Sequence, residues 1–222
     1  MLQYMLKDAI DARDHKVASR EIYMDNAYAY SKAQEHDLAI EEAMKAYELD
    51  PENEMTISGL RNCLIKANRL EEAEHFAKIG LALVKSKLED HPFIIGFYDD
   101  LGDIYDAQKK YDDAIKAYRN AIRAAQFSWT TDKYHLKVAK TCQKAGYYKR
   151  AISYAEGAMS RARIGGENYN EAEALIDGCS RVLKIKMEVD GEDGEEPDEK
   201  NNKNEKDAIK EELLLFMNDY LD

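Results

Sequence analysis

The chain has 222 residues, 45% of them hydrophobic, with a formal net charge of -12 and a pI near 5.0. That length fits one or two domains or a single repeat array, and the acidity argues against a phosphate-backbone binder, which needs clustered Lys and Arg. Proline occurs only at Pro51, Pro92 and Pro197, and few prolines and glycines favour long helices over many-stranded sheets.

In chain order, Leu2, Met5, Leu6, Ala9 and Ile10 follow helical spacing. Residues 1–19 are expected to form a cap or half of a repeat. Tyr23, Ala27 and Tyr30 then lie on one helix, and Ala39, Ala43 and Ala46 on the next, which Pro51 stops. Leu60 and Leu64 open a less regular pair, with Arg61 where a small residue is expected; Ala73, Ala77, Gly80 and Leu81 continue it toward His91-Pro92. The strongest stretch is Tyr98, Leu101-Gly102, Tyr105, a polar turn at 108–110, then Tyr111, Ala114, Tyr118 and Ala121. Gly102 and Ala114 are expected at a close helix crossing. The last pair carries Ala139 and Cys142, then Tyr148, Ala151, Ala155 and Ala158, and ends at Ile164-Gly165-Gly166. The alanines that open the second helices, Ala39, Ala73, Ala114 and Ala151, are 34, 41 and 37 residues apart.

This recurrence over residues 20–165 resembles the tetratricopeptide repeat, a helix-turn-helix unit of roughly 34 residues. The resemblance implies an all-α, right-handed tetratricopeptide-repeat helical solenoid of four units. Asn26 departs from the family pattern, where leucine is usual, and Arg61 and Cys142 depart where a small residue and an aromatic are usual. Residues 166–187, with Ala172, Leu175, Ile176, Cys179, Val182 and Leu183, read as a capping helix for the last apolar face.

Composition then changes. Glu188 to Glu199 holds eight acids and no base, and 188–206 is expected to be a flexible, disordered acidic linker. Residues 207–222 form an amphipathic segment with Ile209, Leu213, Phe216, Met217 and Tyr220 on one face. A linker of about 20 residues spans roughly 25 Å r.m.s., so this segment can dock on the array, cap it, or recruit another protein.

Catalytic signatures are absent: there is no HExxH, nucleotide-binding glycine loop or GxSxG. Glu72-x-x-His75 is half of a carboxylate di-metal motif without its second half. The 15 tyrosines fall mostly at repeat-spaced core positions. The chain therefore reads as a non-enzyme with no cofactor and no metal. Cys63, Cys142 and Cys179 form no CxxC pair and no disulfide framework, which favours a reducing, cytoplasmic setting. No stretch reads as a signal peptide or a bilayer span.

In the family the first helices line a concave groove that takes extended or helical peptides. By that resemblance the groove residues are Met24, Asp25, Tyr28 and Lys32, then Ser58, Asn62, Ile65 and Lys66, then Asp99, Asp100, Asp103 and Asp106, then Lys133, Lys137, Lys140 and Lys144. Four aspartates face four lysines. They either pair across the helix boundary or present a two-sign wall to a charged partner. Some family members clamp chaperone C-terminal carboxylates with lysine and asparagine on the first helix; Met24 and Tyr28 occupy those places, and Asn62 and Lys133 alone do not rebuild the clamp. The expected function is a protein-protein interaction scaffold or adaptor for a protein or peptide, with no nucleic acid and no membrane. The alternatives are a peptide-sensing regulatory module and the interaction domain of a larger enzyme or signalling protein.

Overall fold

The computed structural model describes the backbone of residues 2–87, 92–125 and 131–190, and the side chains of 15–87, 92–125 and 131–186. The described residues form helices and no strands. In chain order these are α1 (Leu2–Lys32), α2 (His36–Leu49), α3 (Glu54–Lys66), α4 (Leu70–Lys87), α5 (Phe93–Ala107), α6 (Tyr111–Ala124), α7 (Thr131–Ala145), α8 (Tyr148–Arg161) and α9 (Glu167–Asp190). Each helix packs on its neighbour in sequence, and α1, α3, α5, α7 and α9 serve as first helices of successive units. The fold is the all-α tetratricopeptide-repeat solenoid that the resemblance implies.

The turn inside each unit is the same object built from different residues. Gln34, Asn68, Lys109 and Gly146 all have positive φ, between 57° and 84°. The residue after each donates its backbone N–H to a carbonyl five residues back: Glu35 to Tyr30, Arg69 to Leu64, Lys110 to Tyr105 and Tyr147 to Cys142, at 2.8–3.0 Å. This closure satisfies carbonyls that the helix end would otherwise leave unpaired. The spacings of these turns, 34, 41 and 37 residues, repeat those of the opening alanines.

Packing follows from the small residues. Ala39, Ala43, Ala46, Ala73, Ala77, Ala114, Ala121, Ala151, Ala155 and Ala158 are all fully buried. A ridge of alanines lets two helix backbones approach closely, and larger side chains fill the flanks. Gly80 carries this furthest: a Cβ there would lie 2.3 Å from the Phe97 ring of the next unit. The first-helix start of the second unit is capped by Asn53, whose Oδ1 accepts from the Thr56 N–H at 3.0 Å.

Two expected boundaries move. The opening helix does not end near residue 19: α1 runs unbroken from Leu2 to Lys32, so the stretch expected as a cap or half repeat is continuous with the first helix of unit one. Nothing helix-breaking stands between, since the chain there lacks Pro and Gly. At the other end α9 continues to Asp190, three residues into the expected linker. α9 packs on α8 and α7, as a terminal cap does. The rest of the acidic linker and the segment carrying Ile209, Leu213, Phe216, Met217 and Tyr220 lie outside the described residues.

Candidate partner-binding groove

The groove positions sit on α1, α3, α5 and α7, and side-chain bonds stitch these first helices together. Lys66 on α3 donates to Ser31 on α1 at 2.8 Å. Arg61 on α3 pairs with Asp100 on α5 at 2.7 Å. Lys137 on α7 reaches Asp99 at 2.5 Å and Asp103 at 2.9 Å, both on α5. Lys144 on α7 pairs with Asp106, which also accepts from Thr141 at 3.2 Å. Lys140 on α7 turns the other way and pairs with Glu171 on α9 at 2.5 Å. The result is a ladder of opposite charges across α3, α5, α7 and α9, joined to α1 through the neutral Ser31.

The aspartate and lysine strips therefore do pair across the helix boundary, but not as one set with the other. Asp100 is taken by Arg61 from the preceding unit, and Lys140 by the cap. Lys133 extends over the Tyr134 ring at 4.5 Å. In the first unit Met24 is half-buried and covers Gly59, so it packs on α3. Tyr28 is 63% exposed with the Lys32 ammonium 5.4 Å from its ring centre. Asn62 is exposed, and its Oδ1 accepts from Arg61 at 3.2 Å. Asp25 is exposed, while Ser58 and Ile65 are half-buried.

Arg61 is the residue that the groove reading passes over. It is 4% exposed, stacks 5.0 Å from the Phe97 ring centre and donates to Ser58 at 2.9 Å as well as to Asp100. The signal was its position: arginine stands where the other units carry Ala27, Gly102 and Ala139.

Burial sets the electrostatics. It pushes the Asp100 carboxyl up to about 6; Arg61 pulls it down, and Asp99 and Asp103 push it up further. Burial also lowers the Arg61 guanidinium from its ordinary value, against the pull of Asp100 and Asp99. For Lys137 burial opposes the charge, but the bonds from Asp99 and Asp103 outweigh it and the ammonium is held above its usual range. The Tyr118 phenol is raised by burial and by the surrounding aspartates, so it remains a neutral donor to Asp103 at 2.6 Å. Such a wall is nearly self-neutralised.

No metal cluster of His, Cys, Asp or Glu occurs among the described residues. Glu72 is bonded to Arg69 at 2.5 Å, and His75 lies edge-on to Phe76 with ring centres 5.4 Å apart. Among the described residues, no helix is long and apolar enough to cross a membrane.

A family model described as tetratricopeptide repeat matches residues 21–53 and 95–127. Among curated proteins, no sequence matches the chain. Solved structures with the same fold include the nearly identical TPR-like repeats assigned to a kinesin light chain of Podosopora anserina, at a TM-score of 0.64 and 12% identity over 77% of this chain and 90% of that one. The MamA protein is similar at 0.57 and 20% identity, over 77% and 91% of the two chains. A chain of the APC/C hetero-tetramer Cut9-Hcn1 is similar at 0.60 and 18% identity, over 72% of this chain and 30% of that one.

Proposed function

Because the chain is a tetratricopeptide-repeat protein, we propose that it is a non-catalytic scaffold or adaptor that binds an extended or helical segment of a partner protein along the face of α1, α3, α5 and α7. Arrays of this fold are in general protein–protein interaction modules, and one similar chain was solved within the hetero-tetramer Cut9-Hcn1. The observation that carries the reading is the ladder. A face whose charges are already paired and held in place offers a preorganised surface, which lowers the ordering cost of binding. Exposed side chains that can reach a partner include Asp25, Tyr28, Lys32, Asn62, Lys66, Asp103 and Lys133. Tyrosine is a favoured anchor at such surfaces.

The net charge of -12 supports a protein or peptide ligand over nucleic acid or an anionic membrane surface. The buried Cys63, Cys142 and Cys179, far apart in sequence and without a CxxC pair, support a reducing, cytoplasmic setting. The test is affinity capture with mass spectrometry, using the whole chain and a Tyr28→Ala/Lys133→Glu variant as parallel baits. These two side chains lie outside the ladder, so the variant keeps its stability. A specific protein captured by the first bait and lost by the second supports the groove. Capture that the variant leaves unchanged rejects it.

A further inference from the structure

In every described unit the second helix opens on one pattern and seals one face of the first helix. Ala39, Ala73, Ala114 and Ala151 are fully buried, and Ile40 and Ile115, one residue on, are nearly so. α9 is a first helix that lacks such a partner among the described residues. Its inner side, Ala172, Leu175 and Cys179, is buried against the array. Ile176, Val182 and Leu183 are only half-buried, and Ile185 is 58% exposed.

The sequence after Asp190 contains the missing pattern. Asp207-Ala208-Ile209-Lys210 repeats, residue for residue, Asp113-Ala114-Ile115-Lys116 at the start of α6. The register continues. Eight residues after the opening alanine the second helices carry Tyr47, Leu81, Ile122 and Met159, and here stands Phe216. Two positions differ: Glu212 and Leu215 replace residues that are small in most units, which implies a wider helix spacing than in the four described pairs.

Reach and charge both permit the pairing. A chain of the length of 191–206 would span roughly 20–24 Å r.m.s. if it had no regular structure, whereas neighbouring helices need a separation of only about 8–10 Å. Tethering gives effective concentrations of order mM. Arg181, Lys184 and Lys186 are exposed at the end of α9, beside a linker rich in Asp and Glu.

We propose that residues 207–221 form the second helix of a fifth repeat, packing against the open face of α9 with Ile209 and Phe216 turned inward. The tail then completes the array, and the apolar end of α9 is closed to other proteins.

Amide hydrogen exchange on the full chain tests this, comparing wild type with Ile209→Asp/Phe216→Asp and, from the α9 side, with Ile185→Asp. The expected result is exchange over 176–186 that is about tenfold slower in wild type than in either variant. Exchange in α3 to α7 is expected to stay unchanged, which shows in the same experiment that the variants are folded. Equal exchange in α9 for wild type and both variants overturns the proposal. Protection of α9 that disappears on dilution also overturns it, assigning the face to a second copy of the chain.

Discussion

Tyr118 lays its ring against Gly102: a Cβ on that glycine would lie 2.3 Å from ring carbon Cε1. One unit earlier the same register holds Arg61 in the glycine's place and Ala77 in the tyrosine's, both buried. Units one and four use alanine on both sides, Ala27 with Ala43 and Ala139 with Ala155. Units two and three each admit one large side chain at the crossing, from opposite helices. Both large groups also serve the ladder, Tyr118 through Asp103 and Arg61 through Asp100.

Gly102→Ala is expected to cost about 1–3 kcal/mol, the usual cost of overpacking a close contact. The ring cannot retreat without losing its bond to Asp103. Tyr118→Leu in the same chain removes the obstruction, so the double variant loses less than the sum of the two single losses. Urea denaturation of the four proteins measures the coupling.

Asp100 makes stability depend on pH in an unusual direction. Its folded pKa, about 6, lies above the ordinary aspartate value of 3.8. Between those values the folded protein holds a proton that the unfolded chain has released, so this contribution is present at low pH and is lost as pH rises toward 6. Asp100→Asn cannot ionise. From about pH 4.5 to about pH 7 wild type is expected to lose about 2 kcal/mol relative to the variant. A difference that is flat in pH would refute the assignment.

His135 acts with the opposite sign. It is buried, its Nδ1–H donates to the Thr131 carbonyl at 2.9 Å, and its pKa is pushed down to about 4, mainly by burial. The neutral ring stabilises the fold above pH 6.5, and that contribution is lost as pH falls toward 4. Relative to His135→Gln, wild type is expected to lose about 2 kcal/mol on acidification from about pH 7 to about pH 4.5. Stability curves for the Asp100 and His135 variants therefore diverge from wild type at opposite ends of one pH range.

Lys109 holds a φ of 61° in the turn of the third unit, a conformation that costs an ordinary L-residue roughly 1–2 kcal/mol. Lys109→Gly is expected to raise stability by about 1 kcal/mol, or about 2–4 °C in Tm for a chain of this size. Gly146→Ala at the equivalent turn is expected to lower it. Thermal melts of the two variants give the sign directly.

The repeat register was legible because it is local. Alanine spacing of 34, 41 and 37 residues reports the repeat length, small and aromatic residues report the helical period within each element, and the turns recur at the same intervals. The turn geometry itself was less so: Gln34 and Lys109 adopt a backbone form that their side chains do not favour, because closing the helix end outweighs the local cost. The charged residues expected in the groove were chosen by the family resemblance and their helical spacing, and neither said which side chain each would pair with.

The sequence by itself thus determined the all-α class, the pairing of helices and the face on which Asp99, Asp103, Asp106, Lys137 and Lys144 lie, since these depend on period and side-chain size along one helix. Only the tertiary structure decided that Arg61 crosses to Asp100, that Lys140 turns to Glu171 and that Met24 folds onto Gly59. Those choices depend on which helix lies across the boundary and at what distance. Separate turns of chain bring the two charges within about 3 Å, and no pattern within one helix carries that information.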